Sequence, residues 1–119
     1  MKKILVIDDD ADIRESLQAV LESYGFDVIT ADGGAPALAM LKAGERPDVI
    51  LLDLMMPEMD GAEMRRRQVA DPAIADIPVI VISAGGDAVR KARAMGLSGL
   101  TKPLDVDRLI AMLSAPTVA

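Results

Sequence analysis

The 119-residue chain contains no cysteine and no histidine. The first absence excludes disulfides, thiolate nucleophiles and zinc–thiolate sites. The second excludes serine–histidine catalysis, histidine metal ligation and phosphohistidine within this chain. Aromatic residues are limited to Tyr24 and Phe26. Long apolar runs are missing too: after Met1-Lys2-Lys3 the first spans four residues before acids begin, too short for a signal-peptide core or a membrane span. A cytoplasmic chain with no membrane partner is therefore expected. There is no basic excess, and a formal net charge of -6 argues against a direct nucleic-acid footprint or an anionic lipid surface. The chemistry left open belongs to carboxylates, hydroxyls, lysine and a hard metal ion. Apolar residues make up 51% of the chain, enough for one folded domain with its own core.

What the chain does have is a repeated pattern of a short apolar run ending in acid. Ile4, Leu5, Val6 and Ile7 lead to Asp8 and Asp9, while Val49, Ile50, Leu51 and Leu52 lead to Asp53. Runs this short and this apolar read as strands buried on both faces of a parallel sheet. In such sheets, ligand chemistry collects beyond the carboxyl ends of the strands. If the two runs are neighbours, three carboxylates share one cleft. Two unit charges ~4 Å apart repel by about 4 kcal/mol at an effective dielectric near ~20. Their coexistence needs a cation or a raised pKa.

Apolar runs alternate with helical patterns along the chain, which predicts βα units. Strands are expected at residues 3–8, 27–31, 48–53, 79–83 and 99–101. Helices are expected at 11–24, 36–43, 62–70 and 106–113, with one more opened by Gly85-Gly86 and carrying Val89, Ala92 and Met95 inward. Asp10 suits the N-cap of the first helix and Gly25 its C′ position, Pro36 lies near the first turn of the second, and Gly44 and Gly96 follow helix ends. Right-handed crossovers put helices on both faces. The expected fold is α/β, a five-stranded parallel sheet of flavodoxin-like order 2-1-3-4-5, doubly wound with five helices. That order makes the first and third strands neighbours and brings Asp8, Asp9 and Asp53 together. One domain is expected over 1–114, with 115–119 a short tail or linker stub.

The residues that line up at the strand ends are Ile7-Asp8-Asp9-Asp10, the run Asp53-Leu54-Met55-Met56-Pro57-Glu58-Met59-Asp60-Gly61, Ser83-Ala84, and Thr101-Lys102-Pro103. In this order and spacing the set closely resembles the receiver domain of bacterial two-component response regulators, over nearly the whole chain. The resemblance implies that Asp53 is a phosphoacceptor, a carboxylate that needs no activating base because it is already ionised. It implies Mg²⁺ as cofactor, held by Asp8, Asp9, Asp53 and the backbone carbonyl of Met55. Magnesium suits a few carboxylates plus waters and phosphate oxygens. Lys102 would pair with a phosphoryl oxygen, Ser83 would donate a hydrogen bond to it, Ala84 would leave it reachable, and Pro103 would set the loop that aims Lys102.

The implied partners are a histidine kinase or histidine phosphotransfer protein and an unknown downstream protein. No external substrate is turned over. A homodimer through the last two helices and fifth strand is the family's usual assembly. One position departs from the pattern: Gly99 stands where receivers usually carry an aromatic three residues before the lysine, and residues 96–102 are one residue shorter than usual. The alternative reading is thus a non-signalling receiver-like scaffold or dimerisation module, and a Mg²⁺-dependent hydrolase ranks last. Plainer readings stand beside these. Asp10 is a helix cap, Arg65-Arg66-Arg67 and Arg90-Lys91-Arg93 are solvated faces by default, and most methionines fill the core.

Overall fold

The apolar runs assemble into one parallel sheet of order β2-β1-β3-β4-β5. The computed structural model describes residues 2–56, 59–84 and 88–114. In chain order its elements are β1 (Lys3–Ile7), α1 (Ala11–Ser23), β2 (Asp27–Ala31), α2 (Gly34–Lys42), β3 (Val49–Asp53), α3 (Gly61–Val69), β4 (Val79–Ser83), α4 (Ala88–Ala94), β5 (Ser98–Thr101) and α5 (Val106–Ser114). The expected strand order and the alternation of strand and helix are both present. Among the described residues, no helix is long and apolar enough to cross a membrane.

Strand periodicity explains why the central runs carry no polar alternation. Successive side chains point to opposite faces, and here both faces are covered. Leu5, Ile7, Ile50, Leu52, Val79 and Val81 pack with Ala37, Leu38, Leu41, Met64 and Ala92 from α2, α3 and α4. Ile4, Val6, Val49, Leu51, Ile80 and Ile82 pack with Leu17, Leu21, Leu109 and Leu113 from α1 and α5. Every residue of β3 and β4 is buried, while the edge strand β2 is only partly covered.

Local signals account for several helix ends. The Asp10 carboxylate accepts the N–H groups of Asp12 and Ile13 at the start of α1, and Asp60 accepts that of Glu63 at the start of α3. Gly25 and Gly44, at φ +92° and +113°, follow the ends of α1 and α2 in the left-handed region where a side chain would be strained. The second helix departs from expectation. It begins at Gly34 rather than Pro36, because Gly33 is extended and Gly34 lies under Met59 and Met64. A Cβ at Gly34 would come within 2.8 Å of Met59 Sδ, so the glycine gives a close approach, not a loop. Strand β5 starts one residue early, at Ser98, and β1 stops at Ile7, leaving Asp8 just past the strand. The glycine pair expected to open α4, the Pro57-Glu58 step and the 115–119 tail lie outside the described residues.

Candidate functional site

Parallel register between β1 and β3 pairs Ile7 with Leu52, so the next residues, Asp8 and Asp53, emerge side by side at the carboxyl edge. Carboxylate oxygens of Asp8, Asp9 and Asp53 lie within 4.8 Å of one another. Asp8 is fully buried and Asp53 is 2% exposed, whereas Asp9 faces solvent. β4 and β5 complete the edge. Ser83 ends β4, fully buried, with its hydroxyl donating to the Ala84 carbonyl at 3.1 Å. Lys102 follows β5, and its backbone N–H donates to the Ser83 carbonyl at 2.9 Å. Ala84 and Pro103 are exposed beside it, and the Lys102–Pro103 peptide is cis.

Each buried carboxylate has defined partners. Asp8 Oδ1 accepts the Asp10 N–H at 3.0 Å, and Asp8 Oδ2 accepts from Lys102 Nζ at 2.7 Å. Asp53 Oδ1 accepts the Met55 N–H at 3.1 Å, and Lys102 Nζ stands 3.4 Å from Asp53 Oδ2. Lys102 does not form a simple ion pair with Asp53 alone. The structure instead shares Lys102 between two acids and gives Asp8 the shorter bond.

Electrostatics at this edge are strained. Burial pushes the Asp53 carboxyl up from its ordinary 3.8 to about 6, and the Asp8 charge adds to it; the Met55 N–H and Lys102 pull the other way. For Lys102, burial favours the neutral amine. The hydrogen bond to Asp8 and the charges of both acids outweigh it, so its pKa is raised. One ammonium does not neutralise three acids. The donors that remain are hard carboxylate oxygens, converging and partly open to solvent at Asp9, which is the donor set Mg²⁺ takes. The residues fit that ion.

Arg14 had no signal in the linear pattern, Gly61 appeared there only as the end of a quoted run, and Gln68 supports the loop before β4 rather than the acids. Arg14 of α1 donates from Nη1 to the Asp8 backbone carbonyl at 2.7 Å. Gly61 packs so tightly that a Cβ there would fall 2.8 Å from the Asp53 carbonyl oxygen. Gln68, fully buried, donates to the Ile74 and Ile77 carbonyls and accepts from Arg65, tying down the loop before β4. Arg65 is thus partly drawn inward, while Arg66 and Arg67 pair with Glu63 on the exposed face as a solvated charge run would. Among the methionines, Met56 and Met64 are buried, and Met55 is 61% exposed at the rim of the site. Gly99 is buried on β5 beside Val81, where the family pattern would place an aromatic ring.

A doubly wound parallel sheet with acids and a lysine gathered at its switch point defines a flavodoxin-like α/β protein with a carboxylate–lysine site. Comparison with known proteins makes the assignment specific. The response regulator receiver domain family matches residues 4–114. The chain is 36% identical over 117 residues to the phosphate regulon transcriptional regulatory protein PhoB of Pseudomonas aeruginosa, covering 96% of this chain and 51% of that protein. It is 40% identical to the response regulator MprA of Mycobacterium avium, covering 95% of this chain and 50% of that one. The crystal structure of a response regulator receiver protein from Pseudomonas putida superposes with a TM-score of 0.84 at 31% identity, covering 94% of each chain. The chain belongs to the receiver domain family of two-component response regulators, and is a phosphoacceptor signalling domain. It spans about half the length of the curated relatives it matches.

Proposed function

We propose that Asp53 is the phosphoacceptor and that a histidine kinase or histidine phosphotransfer protein is the donor. The observation that carries this reading is the convergence of Asp8, Asp9, Asp53 and Lys102 on one strand-end cleft. A carboxylate oxygen of Asp53 forms a bond to phosphorus as the donor's phosphorus–nitrogen bond breaks, leaving the electron pair on the imidazole. Asp8, Asp9, Asp53 and the Met55 carbonyl would hold Mg²⁺. Bound there, the ion would screen the acids and neutralise charge on the transferring phosphoryl group.

The chain's own residues do the rest. The Met55 N–H fixes one Asp53 oxygen, so the other is presented to the donor. Lys102 already stands 3.4 Å from Asp53 and needs only a small shift to meet a phosphoryl oxygen. The Ser83 hydroxyl, bonded to its neighbour's carbonyl, is free to rotate towards the same group. The added charge of about -1.5 to -2 then biases the Ser83 and Lys102 loops between two populations. Water attack on the acyl phosphate ends the signal, with no external substrate turned over. The scaffold alternative rested on Gly99, and the intact acid–lysine cluster favours signalling over it.

Output passes to a downstream protein, by the loops rather than a rotating ring at position 99. Cytoplasmic location and the absence of direct nucleic-acid contact belong to this reading of the 119 residues only, since relatives named as transcriptional regulators are about twice as long. Intact-mass analysis after incubation with acetyl phosphate, with and without Mg²⁺, tests the proposal. A single Mg²⁺-dependent phosphoryl adduct, absent in Asp53→Asn, is expected. An equal adduct in the variant would refute the assignment.

A further inference from the structure

We infer that Arg14 is a positioning residue for the acidic site, setting the Asp8–Asp9 peptide so that both carboxylates point into one cation-binding cleft. The inference rests on the metal reading above and extends it to a residue outside the donor set. Its first support is a bond in an unusual direction. Arg14 lies one turn into α1, close in sequence to Asp9, Asp10 and Asp12, yet its guanidinium donates at 2.7 Å to a backbone oxygen, that of Asp8. Asp8 is the first residue past the strand.

That carbonyl belongs to the peptide joining Asp8 to Asp9. The peptide is planar, so fixing its oxygen restricts the rotations on either side and with them the directions of both Cα–Cβ bonds. The two acids differ in how much they need this. Asp8 is held by its own side chain, through the Asp10 N–H and Lys102. Among the described residues the Asp9 carboxylate makes no hydrogen bond, and it faces solvent. Its place within 4.8 Å of the other two acids is fixed by no side-chain bond and depends on the direction its backbone gives it. Arg14 also brings a positive charge up behind the acid pair, where it opposes their mutual repulsion without occupying a donor oxygen. Partners that orient ligands without touching the metal typically change affinity by about 10–100-fold when removed.

The test is Mg²⁺ titration by calorimetry on the unphosphorylated protein, comparing wild type, Arg14→Ala, Arg14→Lys and Arg14→Met. Arg14→Ala should weaken Mg²⁺ binding by about 10-fold, and Arg14→Lys, which keeps a cationic donor, should recover most of it. Arg14→Met fills similar volume without a donor and should behave like Arg14→Ala, which covers the case in which alanine fails to fold. In acetyl phosphate labelling, the Mg²⁺ concentration for half-maximal rate should rise by the same factor, with the rate at saturating Mg²⁺ within about twofold of wild type. Gln68→Ala, which loosens the fold elsewhere, should leave Mg²⁺ affinity unchanged. Wild-type affinity in Arg14→Ala and Arg14→Met, or a loss in Gln68→Ala as large as in Arg14→Ala, overturns the inference while leaving the metal site standing. Failure of the wild type itself to bind Mg²⁺ overturns both.

Discussion

Replacing Asp53 by asparagine should stabilise the metal-free protein at neutral pH. Asp53 is 2% exposed and its carboxyl is pushed up to about 6 from 3.8. The folded state therefore holds this proton more tightly than the unfolded chain does. Below pH ~4 both states are protonated and the group is neutral in its effect. Between pH ~4 and ~6 the unfolded state ionises first, so stability falls as pH rises, and above ~6 the full cost is present. The gap corresponds to about 3 kcal/mol. Asparagine does not ionise, its side-chain oxygen is able to accept the Met55 N–H, and Lys102 keeps its shorter bond to Asp8.

The variant should thus gain roughly 1–3 kcal/mol at pH 7, or about 4–12 °C in Tm for a chain this size, and almost nothing at pH 3.5. Urea unfolding followed by far-UV circular dichroism, in EDTA and across this pH range, reads the effect in a chain without tryptophan. Saturating Mg²⁺ at pH 7 should close most of the gap by stabilising the wild type. An equal difference between the two proteins at pH 4 and pH 7, or a variant less stable at pH 7, would refute the account of the buried charge.

Lys102→Met removes the cation shared by two buried acids and should cost about 3–5 kcal/mol at pH 7. The loss should shrink in an Asp53→Asn background, and simple additivity of the two changes would show that Lys102 and Asp53 are not coupled. Gly61→Ala sets a Cβ against the Asp53 carbonyl oxygen at 2.8 Å and the Leu54 Cα at 2.9 Å. Backbone has nowhere to give, so a net loss of about 1–3 kcal/mol with slower labelling of Asp53 is expected; a stabilised variant, following helix propensity alone, would contradict the packing. Gln68→Ala leaves the Ile74 and Ile77 carbonyls without their donor. It should cost about 2–4 kcal/mol in denaturant unfolding, and a loss below ~1 kcal/mol would mean that water replaces the amide.

Much of this protein was legible in the linear pattern because the responsible physics is local. Three uninterrupted apolar runs require a sheet covered on both faces, Asp10 caps the helix that follows it, and Gly25 and Gly44 end helices in the left-handed region. Acids placed directly after two such runs converge as soon as the first and third strands are neighbours, so Asp8, Asp9 and Asp53 were readable as one edge, while Ser83 and Lys102 joined them only through the resemblance to the receiver family. Local signals misled where packing intervened. Pro36 pointed to a helix start at 36, but Gly34 sits in close approach under Met59, and the helix starts there instead.

The distribution of charge within the site was settled by tertiary structure. Lys102 lies 94 positions from Asp8, and no spacing rule says which acid it will favour. The raised pKa of Asp53 comes from burial and from the charge of Asp8, a residue on another strand end. Arg14 and Gln68 read as ordinary polar residues of amphipathic helices until the backbone carbonyls they serve are in place. Sequence by itself determined which residues could reach the strand ends, because periodicity and capping act over a few residues. Tertiary structure alone decided which of them share protons, charge and hydrogen bonds, because those energies depend on distance and on the exclusion of water.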